Sequence, residues 1–502
     1  MQIDSLTSAI TKKLPLWGQG GLPILWLALL LTVMLPTTAS AFDDTVQARY
    51  DSLLSVISGC PETVQTTKSI TAFGAKGDGK TDCRRAFDKA MRAAARTPRG
   101  LHIVIPKGRW LVKGPIHLVS NITLELKEGS TLLFAPNPEY YLPAVRTSWE
   151  GSFCQNYSPF IYGFQLENIR IIGSGTIDGN CMETFPTWRA QQKTDQAKLR
   201  EQDHNNIPIQ QRNYGEGNML RPHLLQLFGC RNITIEGVFI TNSPFWCIHL
   251  LKSENIICRS LRYDAKLVNN DGIDPEMSRN ILIEDVHFNN GDDNIAIKAG
   301  RDNDGWGDNA DIAPDGLQDL YRPQPTENII IRNCHFKGLH GVVIGSEMSG
   351  GVRNIYVRDC DYAGYNKRAL YVKSNPNRGG FVRDIYFDNC SFDEVEDMFY
   401  ITSMYAGEGA DDNHFTNISD IHVSNVSCRK ARNAAVVLQG TKAMPLRNIS
   451  FDHLNVGESK IGFSSMYAPD VRLSDCNLGG TVNGAPTQVT SHDGLWDKDK
   501  KQ

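Results

Sequence analysis

The sequence predicts an all-β fold of one class, a right-handed parallel β-helix closed at its N-terminal end by a capping helix. Two observations carry this. A short unit recurs, Asn or Asp followed by Ile or Val and then alternating residues. It stands at Asn121-Ile122, Asn168-Ile169, Asn232-Ile233, Asn255-Ile256, Asn280-Ile281, Asn328-Ile329 and Asn354-Ile355. It continues at Asp384-Ile385, Asp420-Ile421, Asn448-Ile449 and Asp470-Val471, with intervals of 23, 25, 26, 30, 28 and 22 residues among neighbours. Short strands at such a period mean a solenoid or a propeller, and a propeller blade needs about 40–45 residues, too long for this unit. No Leu-x-x-Leu-x-Leu frame of a leucine-rich repeat is present. The second observation is that Cys334, Cys360 and Cys390 each follow the Asn or Asp of their repeat by six residues. Coils stacked about 4.8 Å apart would place Ile on Ile, Asn on Asn and thiol on thiol.

The N-terminal 41 residues read as an address. Lys12 and Lys13 precede the apolar run Leu22–Leu35, which ends in an A-x-A site at Ala39-Ser40-Ala41. This is the layout of a secretory signal peptide. As a helix the run would span only about 21 Å against a hydrocarbon core of about 30 Å. An uncleaved anchor is the alternative. The expectation is export to the periplasm or the exterior with cleavage before Phe42, and no membrane association afterwards.

A net charge of -4 over 502 residues gives no reason to expect a nucleic-acid partner. Twelve cysteines in this length make no disulfide scaffold, and without a CxxC pair they make no zinc site. The Cys334, Cys360 and Cys390 stack would permit one disulfide but is read as buried thiols.

Residues 42–67 read as a polar leader with a short helical tendency. Ser69–Phe73 is strand-like, and Asp82 is placed to cap a helix running to about Ala95. Its residues Ala86, Phe87, Ala90, Met91 and Ala94 form one apolar stripe, suited to hiding the end coil. The β-helix domain is expected over 68–486 and a mobile charged tail over 487–502. Three segments break the period: 137–158, 182–219 and 302–326. Insertions in a solenoid emerge on one face and shape a binding site.

Within the repeats, VNNDGIDPEMSRNILIEDVHFNNGDDNIAIKAG places Asp271, Asp292 and Asp293 beside Gly and Asn. The first two are 21 residues apart, about one coil, which puts them on adjacent coils at one face. Three such carboxyls cannot all stay ionised cheaply, so one pKa rises and that group becomes a general acid, its neighbours a base. A surface Asp/Gly turn or a calcium site remains open on spacing alone.

At these residues the sequence resembles glycoside hydrolase family 28, the polygalacturonase family, whose motifs are N-T-D, G-D-D, G-H-G and R-I-K. Here they stand as Asn269-Asn270-Asp271, Gly291-Asp292-Asp293, Leu339-His340-Gly341 and Tyr371-Val372-Lys373. FGAKGDGKTD, RTSWEG, CQNYSPFIY, NSPFWCIH and KAGRDNDG extend the likeness over about residues 68–480, toward the exo-acting branch. The resemblance implies inverting hydrolysis of α-1,4-galacturonosyl bonds in pectin, without a cofactor, by a secreted cell-wall-degrading enzyme. It implies Asp292 as the acid, Asp271 and Asp293 as activators of water, and His340 as a group that orients or tunes the acid. Lys373 would meet a galacturonate carboxylate. Tyr371 stands where the motif has Arg, and Arg368 is the candidate to compensate. Trp246, His249, Lys298 and Arg301 are further candidates for sugar contact. No metal ligand is expected, and the enzyme is expected to be a monomer. A calcium-dependent pectate lyase, with the acidic insertion Asp302–Asp315 as a calcium site, and a non-catalytic saccharide-binding β-helix are the alternatives. Exo action would follow if the three insertions wall off one end of the groove.

Overall fold

The computed structural model describes residues 43–307, 309, 311–405 and 414–480; the expected signal segment and charged tail lie outside them. Parallel strands stack coil upon coil in one 22-stranded sheet and a second of five strands. The repeat read from the sequence is the register itself. Ile122, Ile169, Ile233, Ile256, Ile281 and Ile329 pair in succession. The column continues through Ile355, Ile385, Ile421, Ile449 and Val471. These side chains line the core, at 1% exposure or less until the last coil.

The residue before each of them has a further reason to be Asn or Asp. Asn121, Asn168, Asn232, Asn280 and Asn328 have φ between 58° and 61°, the left-handed region that these two residue types tolerate best after glycine. Their amides also bond between coils, Asn168 to Asn121 at 2.8 Å and Asn354 to Asn328 at 3.0 Å. One residue type thus meets a backbone need and a ladder need together.

The helix Arg84–Ala95 buries Ala86, Phe87, Ala90, Met91 and Ala94, as the stripe predicts, and joins the main core at its N-terminal end. Asp82 lies one residue outside the cap position, which Cys83 occupies, and accepts from the backbone of Arg84 at 2.9 Å. The strand expected at 69–73 is displaced: Thr66–Ser69 is extended and Ile70–Phe73 forms a single 3-10 turn. The leader is more ordered than its composition suggests. Asp44–Val56 is a helix, capped by Asp43, that lays Tyr50, Val46, Leu53 and Leu54 on Ile257, Leu282, Ile330, Tyr356 and Tyr386. All twelve cysteines are free, and Cys334, Cys360 and Cys390 are buried thiols.

The three period-breaking segments meet. The first forms the hairpin Val145–Trp149 and Ser152–Asn156, the second the helix Gln192–His204, the third the short helix Asp302–Trp306. Ser152 Oγ donates to Asp203 at 2.6 Å, and the backbone N–H of Asp304 donates to the other oxygen of Asp203 at 2.9 Å. Phe153 N–H and Arg212 both donate to Asp304 Oδ2. One buried ionic knot therefore ties all three insertions together.

Candidate active site

The site grows from the strand Asn290–Ile297 and its neighbours. Ile273, Ile295, Val342, Leu370 and Phe399 share one column, so the residues two places earlier stack as well: Asp271, Asp293, His340, Arg368 and Asp397. Asp271 therefore aligns with Asp293, 22 residues on, rather than with Asp292. The difference arises at a bulge: three steps separate Asn290 from Asp293 against two between Gly338 and His340 on the next coil. Successive strand residues ordinarily face opposite ways, and a bulge re-aims them. Here it lets Asp292 and Asp293 serve one site.

Asp292 is partly open to the groove, whereas Asp271 and Asp293 are 3% and 1% exposed. Burial and then the charge of Asp293 raise the Asp292 carboxyl to about 6. Asp293 goes the other way. Burial alone would raise it, but Lys373 Nζ at 2.9 Å and His340 Nδ1 at 2.7 Å hold it well below the usual carboxylate range. Burial lowers His340 to about 4, so at neutral pH it is an uncharged donor to Asp293. Two adjacent carboxyls thus sit at opposite ends of their range, one keeping its proton up to about pH 6 and one ionised throughout.

Asp271 is raised by burial and by Asp274, a neighbour the sequence reading missed. Asp274 is fully buried, and neither of its oxygens accepts a hydrogen bond from a described protein donor. Burial raises Asp274 as well, against the pull of Lys298, whose Nζ lies 3.9 Å away. Glu347 was missed as well. It meets Lys298 at 3.3 Å and Arg301 at 4.0 Å, and these cations with Arg378 outweigh burial and keep it ionised. Arg221 was the third omission: it donates to Asn269 Oδ1 at 2.6 Å and to Val268 O at 3.0 Å, fixing the loop that carries Asp271. Asn269 in turn reaches Asp292 at 3.5 Å. None of the three sits in a motif. The one local signal was a charged pair in the strand Ile273–Glu276, Asp274 and Glu276, where every residue is buried.

The expected sugar-contact residues divide. Lys298, Lys373 and Arg301 ring Asp293 and Glu347, and Lys298 lies 4.4 Å over the Trp246 ring. His249 is corrected: it is fully buried, bonded to Gln226 at 2.8 Å and to Glu276 at 2.7 Å, and supports the floor without facing a ligand. Arg368 is corrected too. Its guanidinium lies 4.2 Å from both the Tyr371 and Tyr400 rings and 3.6 Å from Asp397, so it does not replace the motif Arg. Tyr371 is buried against His340, with ring centroids 5.6 Å apart. Two carboxylates of the acidic insertion are engaged, Asp302 near Arg301 at 3.6 Å and Asp304 with Arg212.

The family described as Glycosyl hydrolases family 28 matches residues 102–473. The chain belongs to this family. A second description, Rhamnogalacturonase A/epimerase, pectate lyase-like, matches residues 68–125. Among curated relatives, a probable polygalacturonase of Vitis vinifera is 27% identical over 77% of this chain and 74% of its own. An exo-poly-alpha-D-galacturonosidase of Dickeya chrysanthemi is 27% identical over 79% of this chain and 68% of its own. The crystal structure of a hyperthermoactive exopolygalacturonase from Thermotoga maritima is 33% identical, with a TM-score of 0.74 over 86% of this chain and 96% of that one. As a family 28 member the chain is a glycosidase on a right-handed β-helix. Among the described residues, no helix is long and apolar enough to cross a membrane.

Proposed function

We propose that this glycosidase removes galacturonate units from the end of α-1,4-galacturonan by inverting acid/base hydrolysis. The observation that carries the reading is the split between Asp292, raised to about 6 and open to the groove, and Asp293, held ionised by Lys373 and His340. Asp292 gives its proton to the glycosidic oxygen as the C1–O bond breaks. A water attacks C1 from the opposite face and loses its proton to the Asp271/Asp293 side, which leaves inverted configuration at C1. Lys298, Lys373 and Arg301 supply the positive field for the substrate carboxylate, the task that the absent motif Arg leaves to others. Exo action is supported by the three insertions locked together beside the site. Their hairpin tip reaches it, since Arg301 N–H donates to Gly151 O at 3.0 Å. Export through the N-terminal segment and a monomeric state complete the reading.

Product analysis on polygalacturonate and trigalacturonate in EDTA tests it. Saturated mono- or digalacturonate from the first minutes is the expected outcome. A ladder of mixed oligomers would retain hydrolysis and remove exo action, and unsaturated product that depends on calcium would move the chain to the lyases.

Lys373→Met is expected to lower kcat by roughly 10²-fold, the scale of one lost electrostatic group at an active site. Without the ammonium, Asp293 loses its main counter-charge and its pKa rises toward that of Asp292. The two roles then overlap. Steady-state kinetics check this, and a change confined to KM would make Lys373 a binding residue only.

A further inference from the structure

The geometry points to a transition-metal site on the outside of the solenoid, built by Asp285 and His287 on one coil and His335 on the next. No part of the glycosidase reading uses these residues. His287 and His335 occupy the same ladder position on adjacent coils, and their rings stack with centroids 4.2 Å apart and 19° between planes. Asp285 lies two residues before His287, its Oδ1 4.0 Å from His287 Nε2. One ligand atom from each of the three lies within 4.8 Å of the others.

The surroundings leave the right atoms for a metal. Asp361, at the next rung of the ladder, bonds to His335 Nδ1, so Nε2 is the nitrogen left to coordinate. A carboxylate behind a ligating histidine fixes its tautomer and raises its basicity. Ser260 Oγ donates to Asp285 Oδ2 at 2.8 Å, which holds that carboxylate in place and leaves Oδ1 toward the histidines.

Two imidazoles and one carboxylate suit zinc, nickel or copper rather than calcium or magnesium. Tetrahedral zinc needs donor atoms about 3.4 Å apart, a contraction within reach of side-chain rotation because all three side chains are at least 40% exposed. The bound ion would staple two coils and raise stability by mass action.

Calorimetric titration of the full chain with zinc, paired with thermal unfolding, tests the site. Wild type is expected to bind one zinc ion and to unfold roughly 2–4 °C higher at a hundredfold excess over Kd. His335→Asn and His287→Asn are each expected to lose both effects, while Asp292→Asn keeps them. No zinc binding at micromolar concentration would overturn the site. So would binding that survives both histidine variants, and so would binding lost only in Asp292→Asn, which would place the ion on the catalytic carboxylates. Equal binding of calcium would overturn the assignment to imidazole-seeking metals.

Discussion

Asp292→Asn is expected to lower kcat by roughly 10²–10⁴-fold, the contribution of a positioned general acid. The change is nearly isosteric. The side chain still accepts from the backbone N–H of Asp293, which lies 3.1 Å from Oδ1 in the wild type. What disappears is the proton for the leaving oxygen. The pH profile separates this loss from a general disturbance. Asp292 must be protonated to act, and its carboxyl is raised to about 6. Wild-type kcat is therefore expected to fall as pH rises through about 6. Asp293 stays ionised across that range because Lys373 and His340 hold it low. The residual activity of the variant should lack that alkaline limb. Measuring kcat from pH 4 to 8 for both proteins decides it: a variant that retains the limb would assign the acid to another group, with Asp271 and its partner Asp274 the next to test.

Much of this arrangement is legible in the sequence because a solenoid writes its contacts locally. Each coil meets only its neighbours, so the period of Asn-Ile is at once the spacing of the core and the register of the sheet. The capping helix is legible for the same reason, since its stripe of Ala86, Phe87, Ala90, Met91 and Ala94 already says which face is covered. The three aspartates are legible through their motifs, but Asp271 aligns with Asp293 rather than Asp292 because a bulge adds a step that periodicity does not foresee. What stayed hidden comes from contacts across long separations. Arg221 acts on Asn269 from just beyond an insertion. Glu347 is a site residue only because Lys298, Arg301 and Arg378 converge on it from other coils. The leader helix has a weak stripe of its own, and the apolar patch that receives it is gathered from five separate coils. His249 and Arg368 show the converse: residue types suited to sugar binding, here occupied in holding the floor and wall of the groove.

The ionic knot beneath the insertions carries the second large effect. Arg212 and Asp304 are both fully buried and joined by a direct ion pair. Removing one partner of such a pair costs about 3–5 kcal/mol, because the other charge is left without compensation in a medium of low polarity. Arg212→Ala is therefore expected to lower the unfolding midpoint by several degrees. The cost is raised here because Arg212 also donates to Ile207 O at 2.8 Å and Phe153 O at 3.3 Å, so two carbonyls lose a donor with it. Asp203 does not relieve the stranded Asp304. It is itself fully buried and raised well above the carboxylate range, first by burial and then by Asp304. A double variant, Arg212→Met with Asp304→Leu, distinguishes an uncompensated charge from a lost attraction. If stranded charge is the main cost, the double variant should recover most of the midpoint that Arg212→Ala loses. If it recovers nothing, the hydrogen bonds that Asp304 accepts from Phe153 and Asn309 are what hold the segments together. Catalysis offers an independent reading of the same change. The catalytic carboxyls lie outside the knot, so early hydrolysis by Arg212→Ala at a temperature where it remains folded should continue. The hairpin that Ser152 and Phe153 anchor would be loosened, and longer galacturonide products should then join the terminal ones. An unchanged product pattern together with a lowered midpoint would leave the insertions a structural role and require another explanation for exo action.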